Sequence, residues 1–245
     1  MMHFAAQYLA AVGISFLEKK EDDSHTNLGL NVEEGRLETH LLSDMGDTLS
    51  LDYQNFSLVW SSFDGSASLR LEGTSHEEVL AWINKVSQKV PGKEYQFQLH
   101  YELPYEMGKR FRFGPVDGTE LERLLQIRVL AQFALERALK DHSMTSSIRI
   151  WPHHFDTGSL SSLSPDSDVS IGMGLAIPDP IKDQHYFYVG GYRGHTPVNV
   201  SQFDPLTQGE WISEGFMGAV LPANNLDETE AVRFLNEAIT AYKSL

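Results

Sequence analysis

Between Thr26 and Leu71 apolar side chains return at every second position, and this alternation constrains the fold more than any other feature of the chain. Leu28, Leu30 and Val32 are followed by Leu37 and Leu41, then by Leu49, Leu51 and Tyr53, then by Phe56, Leu58 and Trp60, and finally by Ala67, Leu69 and Leu71. Successive side chains of a strand point to opposite faces, so each run predicts a strand with one buried face. Gly35, the region 44–47 and Asp64-Gly65 interrupt the runs where turns are needed, the last as a hairpin turn.

Helical periodicity takes over at Ser75. Ser75 and Glu78 form a capping box, in which each side chain satisfies an amide left open at a helix start. Val79, Trp82, Ile83, Val86 and Val90 make one apolar stripe behind it, and Pro91-Gly92 is the expected stop. Tyr95, Phe97, Leu99, Tyr101 and Leu103 alternate with polar residues and predict a half-buried strand. Thr119 with Glu122 predicts a second capping box, opening a long helix to Asp141 that exposes the line Arg128, Gln132, Glu136 and Lys140. Strands then follow at Ile148–Ile150, Val169–Ile177, Tyr186–Val189 and Phe216–Leu221, with the Ser-rich stretch Ser159–Ser167 read as a loop. Asp227 and Glu230 cap a final helix with the stripe Val232, Leu235, Ile239 and Tyr242. Strands that come in runs, with helices between the runs, define an α+β protein. The expectation is one compact unit over residues 1–245, its antiparallel sheet or sheets covered by three to four helices. Val79–Val86 and Ala231–Ala238 share an apolar pattern, so two similar strand-then-helix halves, 1–110 and 111–245, are the variant of that plan.

Charge removes whole classes of function. Nineteen Lys and Arg stand against 34 Asp and Glu in 245 residues, a formal charge of −15, which repels phosphate backbones and anionic membranes. Nucleic acid and membrane are therefore not expected as partners, while a small molecule is. With no cysteine there is neither a disulfide nor a thiol nucleophile nor a thiolate metal site. The apolar first twenty residues lack a basic leading region and a clear cleavage site, and Phe4, Tyr8, Ala11 and Phe16 suit a packed first helix. A cytoplasmic location is the expectation.

The unusual stretch is Trp151-Pro152-His153-His154-Phe155-Asp156, where two imidazoles, a carboxylate and two aromatics follow a strand. If the pleat persists through it, His154 and Asp156 share a face. Such a pair suits an acid–base couple or two ligands of a divalent metal, the carboxylate fixing the imidazole tautomer. A metal site still needs a third donor, and HxD alone is a weak metal signal. A buried His–Asp pair that merely ties a loop to a sheet is the structural alternative. Phe155-Asp156-Thr157-Gly158-Ser159 matches the active-site loop of the pepsin-like aspartic proteases, yet that chemistry needs two carboxylates sharing a proton, and no second Asp-Thr-Gly or Asp-Ser-Gly exists here. Further on, Asp179, Tyr186, Tyr188 and Trp211 supply aromatic and acidic groups of the kind that line a small-molecule pocket together with Trp151, His154 and Asp156.

These positions resemble a family of bacterial proteins of unknown function whose pattern runs Trp-Pro-x-His-Phe-Asp, a Gly-x-x-Pro-x-Asp-like loop, a Tyr-x-Tyr-Val strand and an aromatic segment ending Gly-Ala. The matching residues are Trp151, Pro152, His154, Phe155 and Asp156, then more loosely Gly174, Pro178 and Asp179, then Tyr186, Tyr188 and Val189, then Trp211, Phe216, Gly218 and Ala219. The resemblance spans residues 147–222. It departs at His153, where the family carries Glu, and at Ala176–Asp179, where it carries Ser-Pro-Gly-Asp. It implies positions and supplies no chemistry. Three functional classes remain: a protein binding a small polar ligand, a metal-dependent hydrolase using His154 and Asp156, and a structural or protein-interaction module. No nucleophile–base–oxyanion set can be assembled from the sequence, which puts the first class ahead and leaves enzymatic activity open.

Overall fold

The computed structural model describes residues 1–245 apart from Pro91, Glu106, Met107 and Lys109, so the helix stop expected at Pro91 lies outside the described residues. Among the described residues, two antiparallel sheets, of five and seven strands, and four α-helices form the α+β fold that the alternation predicts. The chain divides into two compact units, Met1–Leu125 with Ile150–Phe155, and Gln126–Arg149 with Asp156–Leu245.

In the first unit β1 (Gly29–Asn31), β2 (Arg36–Glu38), β3 (Thr48–Asp52), β4 (Ser57–Ser62) and β5 (Gly65–Arg70) form a sheet in chain order. Leu37 pairs Leu51, Leu51 pairs Leu58 and Leu58 pairs Leu69, which sets four leucines in one row across the sheet. Residues directly opposite point to the same face, so this row is the inner face that the period-two pattern encodes. Helix α1 (Met2–Phe16) is buried nearly all round, with Ala5, Ala6, Leu9 and Ala10 inaccessible, as expected of an apolar helix placed inside a core. Phe4 stacks on Phe111 at 3.9 Å, and Phe16 meets Trp60 edge-on at 6.3 Å. The capping box of α2 (His76–Ser87) is present, Glu78 N donating to Ser75 Oγ at 3.3 Å and Ser75 N to Glu78 Oε2 at 2.7 Å.

Segment 95–103 joins no ladder among the described residues, against expectation. Its alternation is nonetheless expressed in burial, since Gln96, Gln98, His100 and Glu102 are exposed and the residues between them are not. The covered side packs on helices instead of extending a sheet. Phe97 lies 5.2 Å from the Tyr8 ring, Tyr101 donates to Gln7 Oε1 at 2.7 Å, and Gln96 N donates to Ser15 Oγ at 3.0 Å. Period two reports a chain with one covered side; it does not report a neighbouring strand.

The second unit packs the later part of α3 (Gly118–Asp141) and α4 (Glu228–Lys243) on one face of its sheet. Five strands run in the order β11 (Glu210–Ile212), β12 (Gly218–Pro222), β9 (Tyr186–Arg193), β8 (Val169–Ala176) and β7 (Asp156–Ser162), with β10 (Thr196–Pro197) beside β9. The seventh strand, β6 (Arg149–Trp151), is divided, with Arg149 in the second unit and the other two residues in the first. Ile171, Met173, Leu175, Phe187, Val189, Ala219 and Leu221 meet Ala131, Leu135, Ala138, Phe234, Leu235 and Ile239 in the core. The capping box of α4 is present at Asp227 and Glu230.

Three expectations are corrected here. Asp117 starts α3, its Oδ1 accepting Thr119 N at 2.9 Å, in place of the Thr119–Glu122 box. Arg128 is buried, at 4% exposure, because it shares a helical stripe with Ala131, Leu135 and Ala138; its Nη1 donates to Thr157 Oγ1 at 2.8 Å. Ser159–Ser162 belong to β7 and not to a loop. Thr157, Ser159 and Ser161 are buried opposite Leu175, Met173 and Ile171, so the inner face of this strand is made of hydroxyls, which a search for apolar alternation passes over.

Among the described residues no helix is long and apolar enough to cross a membrane. Burial holds the His25, His76 and His142 imidazoles below the usual histidine value of 6.5. The unfolded chain then binds more protons than the folded one, so stability is lost as the pH falls below about 6.5, above the range in which the carboxylates titrate. Melting temperature followed from about pH 7.5 down to about pH 5 is expected to fall, and His25→Asn to flatten the fall.

Candidate functional site

The strand pleat does not run through the tryptophan-led stretch. β6 ends at Trp151, residues 152–155 form a turn, and β7 begins at Asp156, so the alternation that put His154 and Asp156 on one face does not apply. Phe155 closes the turn at φ +56 and donates its N–H to Trp151 O at 2.6 Å. The same design recurs at residues 32–35 and 53–56, which end in Gly35 at φ +63 and Phe56 at φ +44. A left-handed phenylalanine costs about 1–2 kcal/mol, and packing must offset that cost.

That packing comes from α1. Pro152 O accepts both His3 Nε2 and Gln7 Nε2 at 2.9 Å, and the buried Phe155 ring stacks on His3 at 5.1 Å. His153 lies over Tyr101 at 5.6 Å and beside the His154 ring at 4.3 Å. His154 itself is exposed, and Trp151, half-buried, meets His153 edge-on at 6.1 Å. Within the first unit, then, the conspicuous residues of this stretch serve a docked turn.

Asp156 belongs to the second unit and has a different setting. It stands at the start of β7 on the sheet face turned away from α3 and α4, as do Gly158, Gly174, Tyr186 and Tyr188 by the strand register. Tyr188 OH donates to Asp156 Oδ2 at 2.6 Å, and Tyr186 OH donates to Asp179 Oδ2 at 2.7 Å. Asp179 Oδ1 is engaged by the Ile181 N–H at 2.8 Å. The other oxygen of Asp156, Oδ1, is buried and has no hydrogen-bond partner among the described residues. Burial first, and the Asp156 carboxylate second, push the Tyr188 hydroxyl well above the usual tyrosine value. Tyr186 is likewise raised by burial, then by its bond to Asp179 and the nearby charges of Asp179 and Asp156. Both tyrosines are therefore neutral donors at pH 7. Phe216 meets Tyr188 edge-on at 6.1 Å, and Ile181 and Ile212 pack nearby around Tyr186 and Val220.

Of the seven residues the sequence nominated, Asp156, Asp179, Tyr186 and Tyr188 come together in this way. Trp151 ends β6 and His154 lies in the turn that follows, both in the first unit. Trp211 is on the opposite sheet face: it pairs Ala219, packs on the helix-side core, and meets Tyr242 at 5.7 Å, whereas Tyr188 pairs Val220. Sequence reasoning noted Gly158 and Gly174 within motifs but gave neither a place in the site. A methyl group on Gly174 would collide with Thr157 O and stand 2.7 Å from Tyr188 Oη, and one on Gly158 would stand 2.8 Å from the same oxygen. Only bare glycines let the tyrosine lie across the sheet to reach Asp156. The signal available was two glycines on neighbouring strands near a tyrosine of a third.

Among the described residues no group of three or more His, Asp or Glu is placed to hold a metal ion. No family model, curated protein or solved structure matches the chain.

Two substitutions test this geometry. Phe155→Ala removes a buried ring and keeps the left-handed strain, and is expected to cost about 3 kcal/mol in urea unfolding. Gly174→Ala is expected to destabilise by about 1–3 kcal/mol and to change the near-ultraviolet tyrosine signal as Tyr188 is displaced.

Proposed function

We propose that the protein binds a small polar ligand at Asp156, Tyr186, Tyr188 and Asp179, and that the ligand brings a hydrogen-bond donor to Asp156. The observation that carries this reading is Asp156 Oδ1, a buried acceptor with no partner among the described residues, beside an oxygen already bonded to Tyr188. A buried acceptor left unpaired costs about 1–3 kcal/mol, which a donor from a ligand recovers. What else the site offers has the same sense. Both tyrosine protons are spent on carboxylates, so the remaining capacity consists of acceptors, two carboxylates and aromatic faces. Acceptors with aromatic faces suit an ammonium or guanidinium group, and a chain of charge −15 draws cations towards it.

Thermal-shift measurements with ethylamine, guanidinium, glycerol and inorganic phosphate test the reading. An amine at about a hundred times its dissociation constant stabilises by about 2.7 kcal/mol, and a rise in melting temperature of about 5 °C is expected. Asp156→Asn keeps the shape and removes the charge, and is expected to abolish the amine response. No response to either cation, or a full response in Asp156→Asn, overturns the proposal.

A further inference from the structure

The first sheet ends on an open edge. β5 is the last strand of the order β1 to β5, and five of its six residues are exposed, Leu69 being the exception. Edge strands are normally guarded against other chains by a lysine, a proline, a bulge or an inward charge. Gly65-Ser66-Ala67-Ser68-Leu69 contains none of these, and the one charge of the strand, Arg70, stands exposed at its far end. The opposite edge, β1, has only three residues, so β5 is the longer template.

We propose that two copies of this chain pair antiparallel along β5 about a two-fold axis through Ala67. Symmetry restricts the register. A two-fold axis perpendicular to a sheet keeps each face of one copy level with the same face of the other, so a residue of β5 must be its own partner. Centring on Ala67 sets Ser66 against Ser68 of the partner subunit and Asp64 against Arg70 of the partner subunit, twice by symmetry. Neighbouring registers bring together like or uncharged groups at these ends. The charges at the two ends of the pairing are thus complementary, while the Arg70 carbonyl already accepts Thr74 Oγ1 at 2.7 Å. Both side chains are available, Asp64 at 68% and Arg70 at 74% exposure. Their present bonds, to Lys89 at 3.3 Å and Glu72 at 2.6 Å, are exposed pairs of small energy. Phe63, 82% exposed at the hairpin tip, lies just beyond Asp64 and gains cover from the partner in the same arrangement.

Sedimentation velocity of the full chain at about 0.15 M salt, over about two decades of concentration, is expected to show a monomer–dimer equilibrium. Asp64→Arg and Arg70→Asp should each weaken it about tenfold, and the double variant should restore it to within about threefold. Hydrogen exchange supplies an independent reading, since the amides of segment 64–70 should slow with rising concentration in the unmodified chain only if β5 is the interface. A monomer at every concentration, a dimer indifferent to both single reversals, or a double variant as weak as the singles overturns the proposal; so does binding of a foreign extended peptide at β5 with no self-association.

Discussion

The carbonyl of Pro152 holds together the least predictable part of this chain. It accepts two hydrogen bonds from α1, from His3 and Gln7, while Phe155 stacks on the same histidine. Six residues, Ile150–Phe155, thereby belong to the first unit although the chain on both sides of them belongs to the second. Ile150 also exchanges two backbone hydrogen bonds with Leu28, at 2.8 and 2.9 Å, across an isolated bridge. A single bridge of that kind is weak on its own. The seat on α1 is what makes a tight turn with a strained phenylalanine stable, because buried hydrogen bonds and a covered ring together outweigh a strain of about 1–2 kcal/mol.

Much of the fold was legible, and the reasons are local. The meander from β1 to β5 followed from leucines two apart, and α2 and α4 from capping boxes whose two hydrogen bonds are both present. Where reading failed, residue type and location had come apart. Arg128 looks like a surface residue but lies on the buried stripe of α3, and Thr157, Ser159 and Ser161 look like loop residues but form the inner face of a strand. Tyr95–Leu103 shows the converse, an alternating sequence covered by helices with no strand beside it. In each case the deciding contact is distant in sequence, and no window on the chain contains it.

The candidate site was legible as a set of residue types and not as an arrangement. Asp156, Asp179, Tyr186 and Tyr188 were nominated for being acidic and aromatic, and two tyrosine–carboxylate bonds join them in pairs. The nomination of His154 depended on a pleat that a left-handed residue interrupts, and left-handed phenylalanine is not something sequence rules anticipate. Trp211 was one register position away from the right face. The glycines beneath Tyr188 matter as much as the tyrosine, because a side chain there blocks the path to Asp156.

The return of Ile150–Phe155 to the first unit bears on how the molecule is made. Leu28 and Ile150 are roughly 120 residues apart in the chain, and the closing of such a loop is slow and entropically costly. During synthesis the N-terminal helix and meander emerge long before the segment that completes them. The first unit therefore leaves the ribosome before His3, Gln7 and Leu28 can meet Pro152 and Ile150, and it finishes only after the helix that opens the second has been made.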